Sequence, residues 1–147
     1  VWVADLIAES CLTIDGLLHA KNQTIEHAID PAQVRVRVDK PSVVSAMVAI
    51  LENAIQMSQT GAVIKIDVHS LSDQVMIRIC DQGPGISEDM LDCLFEPFAT
   101  NRNNGTGLGL SIALNAMRAH RGDISARNLI SGGAEFTITL PQEQKDH

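Results

Sequence analysis

The sequence predicts an α+β domain with helices on one face of a sheet, and three observations predict it. Apolar residues recur at helical spacing in three separate stretches, and strand-like runs rich in Val, Ile and Thr lie between them. The two kinds of element do not alternate strictly. At 147 residues the chain suits one domain with a substantial core.

Taken in order, Trp2 to about Lys21 reads as a helix whose apolar positions include Val3, Leu6, Ile7, Leu17 and Leu18. Residues 22–38 read as two short strands around a turn at Asp30-Pro31. The second of these, Val34 to Val38, alternates strictly and is expected to be half exposed. Pro41 to Ser58 forms a second helix. Residues 62–69 and 74–80 read as paired strands, with the turn at 70–73. A glycine-rich loop at 81–86 leads to a short helix at 87–94. Residues 96–106 have little apolar content and contain Asn101, Asn103 and Asn104, so they read as a mobile loop. A third long helix covers about 107–121, and closing strands follow at 123–127 and 134–140. The polar tail 142–147 is expected to fray, leaving 1–141 as the domain.

Composition narrows the functional classes. The formal net charge of −7 leaves no basic footprint for nucleic acid and disfavours an anionic membrane surface. Phosphate binding would therefore need backbone dipoles, a metal ion or a few well-placed basic groups. Cys11, Cys80 and Cys93 are odd in number and lack metal-ligand spacing, which favours free thiols in a reducing compartment, hence the cytoplasm. No apolar run approaches the roughly 18 residues of a membrane span. Val1 falls inside the first helical pattern, so the chain reads as a fragment, with any sensor or membrane segment outside it.

The second helix carries two stripes when wound at about 100° per residue. Val43, Met47, Ile50, Leu51 and Ala54 form a core stripe. Ala49, Asn53 and Gln56 fall on nearly the opposite side, as either a solvated surface or the wall of a site. Asp81-Gln82-Gly83-Pro84-Gly85-Ile86 begins where a strand ends. Its glycines permit close approach of backbone to a ligand, and its carboxylate can accept a hydrogen bond from an amino group. A tight turn capped by the Asp explains the same residues about as well. Gly105-Thr106-Gly107-Leu108-Gly109-Leu110 opens a helix, where free amides suit phosphate oxygens. The alternative is Thr106 as N-cap with glycines for packing. No P-loop is present, and the spacing of these glycines is not a dinucleotide fingerprint.

Four segments in this order resemble the histidine-kinase branch of the family that also contains DNA gyrase, Hsp90 and MutL. Leu51-Glu52-Asn53-Ala54 resembles the N box, residues 81–86 the G1 box, Phe95-Glu96-Pro97-Phe98 the F box, and residues 105–110 the G2 box. The resemblance runs through the closing Phe136 to Pro141. It implies a two-layer α/β sandwich of the Bergerat ATP-binding type, a mixed sheet with three helices on one face. It further implies that ATP and Mg²⁺ are bound and that the γ-phosphoryl group goes to a histidine on a separate helical dimerisation domain. A response regulator then receives it. The parent protein would be a homodimer, cytosolic or membrane-anchored, with this domain touching neither nucleic acid nor membrane.

The same resemblance distributes roles. Asn53 would hold the metal, Asp81 would accept from the adenine amino group, and Gly83, Gly85 and Ile86 would wrap the base. Amides at Gly105, Thr106, Gly107, Leu108 and Gly109 would hold phosphates. Phe95 and Phe98 would anchor a lid at 96–106, from which Arg102 reaches the γ-phosphate. Thr100 and Thr137 complete the expected ATP contacts.

Departures from the family pattern are informative. Ala49 stands where histidine kinases commonly carry a second Asn and where hydrolytic relatives carry a water-activating Glu. Gln56 replaces a frequent Lys, and Met57 a frequent Tyr. Hydrolysis is thus disfavoured relative to transfer to an external nucleophile. The acceptor histidine is absent. His27 precedes Pro31 one residue too closely for an acceptor motif and lies in an expected strand, and His19, His69, His120 and His147 have no such context. The short lid resembles that of nitrogen- and flagellar-regulatory kinases that signal to σ54-dependent activators. Two other readings share the boxes: a nucleotide-binding module without catalysis, and a serine kinase acting on an anti-anti-sigma factor.

Overall fold

Ten elements follow one another in a computed structural model that describes residues 1–29, 34–97 and 108–143. They are α1 (Val3–Thr13), α2 (Asp15–Ala20), β1 (Thr24–Ile29), α3 (Lys40–Met57), β2 (Val63–Ser70), β3 (Gln74–Cys80), α4 (Glu88–Cys93), α5 (Gly109–Ala119), β4 (Asp123–Asn128) and β5 (Ala134–Pro141). The strands form one mixed sheet in the order β1-β2-β3-β5-β4, with β1 parallel to β2 and the other pairs antiparallel. Helices α1, α3 and α5 pack side by side on one face, as the fold class requires.

Alternation along the strands sorts the two sheet faces. Ile64, Ile66 and Val68 of β2, Val75, Ile77 and Ile79 of β3, and Phe136, Ile138 and Leu140 of β5 are buried beneath the helices. The predicted core stripe of α3 meets them, since Val43, Met47, Ile50, Leu51 and Ala54 are all buried. The other face carries charge in register: Glu26, Lys65, Cys80, Glu135 and Arg127 lie in one row across the five strands. There, burial first and the neighbouring Glu135 carboxylate second push the Cys80 thiol up to about 11. All three cysteines are free and half-buried.

Three sequence expectations need correction. The first helix is broken at Ile14, whose backbone (φ −97°, ψ 7°) leaves the helical region while its side chain stays buried. Ser10 Oγ and Thr13 Oγ1 donate back to the carbonyls of Leu6 and Glu9, a bonding pattern that bends helices, and Gly16 follows. Val34 to Val38 does alternate, with Val34 and Val36 buried, but forms no strand. Its bonds go to the N-terminal segment, Val3 N–H to Val34 O and Val36 N–H to Val1 O, with only an isolated bridge between Trp2 and Arg35. Finally, the tail does not fray from its first residue. Gln142 N–H donates to Asp73 O, Glu143 N–H donates to Arg35 O, and the Glu143 carboxylate pairs with Arg35 and Arg37 at 3.5 Å each.

Among the described residues, no helix is long and apolar enough to cross a membrane.

Candidate nucleotide site

Helix α3 is the spine of the site, and both of its ends are fastened. Asp39 caps the start, accepting from Ser42 N–H at 3.3 Å, and Pro41 sits in the first turn, where its missing N–H costs nothing. At the other end the carbonyls that a helix leaves unpaired meet two side chains. Lys21 Nζ donates to Ile55 O (2.8 Å) and Ser58 O (2.6 Å). Gln23 Nε2 lies within 3.2 Å of the carbonyls of Ile55, Ser58 and Gln59.

The second stripe of α3 is bracketed by both glycine loops. A Cβ on Gly109, the first residue of α5, would lie 3.9 Å from the Cβ of Ala49. A Cβ on Gly83 would collide with the carbonyl of Met57, so only glycine lets the 81–86 loop lie against the last turn of α3. Between these two contacts sits Asn53, only 7% exposed, its amide without a hydrogen-bond partner among the described residues. An amide in so buried a residue is normally paired, so one without a protein partner is a candidate for a ligand.

Asp81 directly follows β3, two residues after buried Ile79, so continued alternation carries its side chain toward the helix face of the sheet. Its Oδ1 accepts from Gly83 N–H (2.9 Å) and Ala134 N–H (3.1 Å), which leaves Oδ2 for another donor. Asp81 as a residue is 4% exposed. Burial holds its pKa above the ordinary value, opposed in part by the two backbone N–H bonds. Gly133 must lack a side chain here, because a Cβ would strike the Asp81 carbonyl. The loop is held further by Ser58, whose Oγ accepts from Gln82 N–H, and by Gln82 Oε1, which accepts from Val63 N–H.

Ile86 and Phe95 are half-buried against the core, and the Phe95 ring meets Phe136 edge to face with centroids 6.3 Å apart. Leu108 is the N-cap residue of α5, whose first-turn amides have no intrahelical acceptor. Asn53, Asp81, Gly83, Gly85, Ile86, Phe95, Leu108 and Gly109 therefore sit on the helix side of the sheet or on the loops that meet α3. Thr137 does not join them. It lies on the opposite face beside Arg78 and Ser125, because its neighbours Phe136 and Ile138 take the core positions. Phe98, Thr100, Arg102, Gly105, Thr106 and Gly107, with most of the expected lid, lie outside the described residues.

Sequence reasoning missed Asn128, Ser58, Val63 and Ala134, which hold the 81–86 loop from distant elements, and Gly133, which makes room for it. Only the Gly132-Gly133 pair carried a local signal, that of a turn.

Comparison with known proteins bears on the family and the fold. The family model described as "Histidine kinase-, DNA gyrase B-, and HSP90-like ATPase" matches residues 38–144. Sensor protein KdpD of Clostridium acetobutylicum is 36% identical over 129 residues, covering 84% of this chain and 14% of that protein. Signal transduction histidine-protein kinase AfsQ2 of Streptomyces coelicolor is 34% identical over 148 residues, covering 97% of this chain and 26% of that protein. The nucleotide-free catalytic domain of histidine kinase ThkA superposes with a TM-score of 0.89 at 26% identity, covering 97% of this chain and 93% of that one. ThkA solved with response regulator protein TrrA gives 0.83 at 24% identity, over 97% of this chain and 41% of that one, a likeness of fold.

Proposed function

Because the chain belongs to the histidine kinase-, DNA gyrase B- and HSP90-like ATPase family, we propose that it is the ATP-binding catalytic domain of a sensor histidine kinase. It binds Mg-ATP and passes the γ-phosphoryl group to a histidine on a helical dimerisation domain, and a response regulator receives the group afterwards. The domain works in the cytoplasm within a homodimeric parent. The observation that carries this reading is that Gly83 and Gly109 approach α3 on either side of Asn53, with Asp81 beside Gly83 keeping one carboxylate oxygen outside its two backbone bonds.

Each residue then has a physical task. The Asp81 carboxylate accepts from the adenine amino group, while Gly83 N–H and Ala134 N–H keep it oriented. Ile86 walls the base, and the first-turn amides of α5 face the phosphates. A magnesium ion fits the unpaired amide oxygen of Asn53, a hard ligand, and would neutralise charge on the phosphates. Ala49 offers no base to activate water, which favours transfer to an imidazole brought from outside. The departing group is ADP: the bond from the γ-phosphorus to the β-bridging oxygen breaks as a bond to the imidazole nitrogen forms.

Incubation with γ-labelled ATP tests this directly. The chain alone is expected to remain unlabelled, and acid-labile label is expected on an added histidine-bearing dimerisation domain. Stable label on the chain itself, or acid-stable label on the acceptor, would overturn the assignment.

A further inference from the structure

The 81–86 loop is fastened at both ends by a single hairpin, and one of those fastenings is a side chain. At the Asp81 end the bonds are backbone in part: Asp81 N–H donates to Ala134 O at 3.0 Å, and Ala134 N–H donates to Asp81 Oδ1. At the Ile86 end the partner is Asn128, the last residue of edge strand β4. Ile86 N–H donates to Asn128 Oδ1 at 2.7 Å, and Asn128 Nδ2 donates to Ile86 O at 2.6 Å. One amide thus supplies the donor and acceptor that a neighbouring strand would otherwise provide, 42 residues away in sequence. Gly85 makes room for it. Its φ is +87°, and a Cβ there would lie 2.9 Å from Asn128 Oδ1.

We infer that Asn128 is a positioning residue for adenine recognition, holding the 81–86 loop in its binding shape by pairing with both backbone groups of Ile86. The inference rests on the proposed function, because it takes Ile86 and Asp81 to flank the base. Pro84 and Gly85 make no hydrogen bond among the described residues, so release at Ile86 frees the loop back to Gly83, which Asp81 and the bonds of Gln82 to Ser58 and Val63 still hold. Both bonds are solvent-exposed and contribute little to global stability. Their effect is on the fraction of molecules whose loop is ready to bind. Apparent affinity falls in proportion to that fraction.

Calorimetric titration of the full chain with Mg-ATP and Mg-ADP tests the inference, alongside amide hydrogen exchange without nucleotide. Asn128→Ala is expected to weaken both nucleotides by the same factor, about 3- to 10-fold, because the phosphate end is untouched. Exchange at the Ile86 amide should accelerate while the buried strand amides of Ile77 and Ile138 keep their protection, a pattern that global destabilisation does not produce. Asn128→Asp provides a second, nearly isosteric variant. It keeps the acceptor for Ile86 N–H but sets an oxygen against Ile86 O, so it should also weaken binding. Wild-type affinity in both folded variants, or unchanged exchange at Ile86, overturns the role of Asn128 alone. Failure of the unaltered chain to bind adenine nucleotide overturns the proposed function as well.

Discussion

Under the proposed function, Asp81 is a side chain arranged for a ligand at the cost of the free protein. Its carboxylate is buried, and two backbone N–H groups satisfy only one of its oxygens. Asn at this position can still accept from Gly83 and Ala134, but it carries no charge to desolvate and presents an amino group to adenine. Asp81→Asn should therefore leave the nucleotide-free domain as stable as the parent at pH 7 or more so. ATP affinity should fall about 5- to 150-fold, the equivalent of roughly 1–3 kcal/mol for an unpaired donor. The pH dependence has a definite sign. Burial raises the folded pKa above the reference of 3.8, so the group contributes stability below that reference and loses it as pH rises through the raised value. Denaturant midpoints of the two proteins between about pH 3 and 7 should show the parent losing ground to the Asn variant as pH increases. A constant difference across that range would mean that Asp81 does not titrate abnormally.

At the scale of elements, α3 is informative because its two ends are held differently. The start is capped within its own sequence by Asp39 and Pro41. The end is capped from α2 and the following segment by Lys21 and Gln23, whose positions predict nothing locally. An ammonium on the last carbonyls also complements the helix dipole. That turn carries the Met57 carbonyl against which Gly83 rests, so its order bears on the 81–86 loop. Lys21→Met should lower stability by about 1–2 kcal/mol, a charge-assisted pairing discounted for partial exposure, while Lys21→Arg should recover most of it. Urea unfolding followed by far-ultraviolet circular dichroism reads the difference. An unshifted midpoint in the Met variant would show that Gln23 and water suffice.

For the molecule as a whole, the boundary of the domain matters more than its length. The expected end at Pro141 omits Gln142 and Glu143, which tie β5 to the β2–β3 turn and to the segment around Arg35. Arg35 in turn stacks its guanidinium on Trp2, 5.0 Å from the ring centroid, and Val1 pairs with Val36. Three parts of the chain far apart in sequence thus meet in one corner. A version ending at Pro141 should lose two backbone hydrogen bonds and both ion pairs of Glu143. The expected cost is about 1–3 kcal/mol, mostly from the backbone bonds, since exposed ion pairs contribute little. A version ending at Glu143 should match the full chain in thermal unfolding. Equal stability of both would restore the shorter boundary.

What the sequence alone determined was local or periodic. Alternation and helical spacing set which residues of α3, β2, β3 and β5 face the core, and the order of the four boxes placed the chain in its family. Glycine loops announced close backbone approaches, which the structure has at Gly83, because permissive backbone is visible in composition. Tertiary structure decided what depends on the neighbour across space. Val34 to Val38 alternates like a strand, yet it forms none because no strand lies beside it: its backbone meets the N-terminal segment and Glu143 through isolated bonds. The first helix stops at Ile14 because burial of that side chain and the back-bonded Ser10 and Thr13 outweigh continued helical spacing. Thr137 reads as a site residue in one dimension but faces away in three, since the period of two commits it once Phe136 and Ile138 enter the core. Lys21, Gln23 and Asn128 were illegible for a related reason. Each acts by hydrogen bonding to backbone groups more than 30 residues away, and any backbone carbonyl or amide serves as a partner. Such a bond leaves no mark on the partner's residue type, so only the folded chain reveals it.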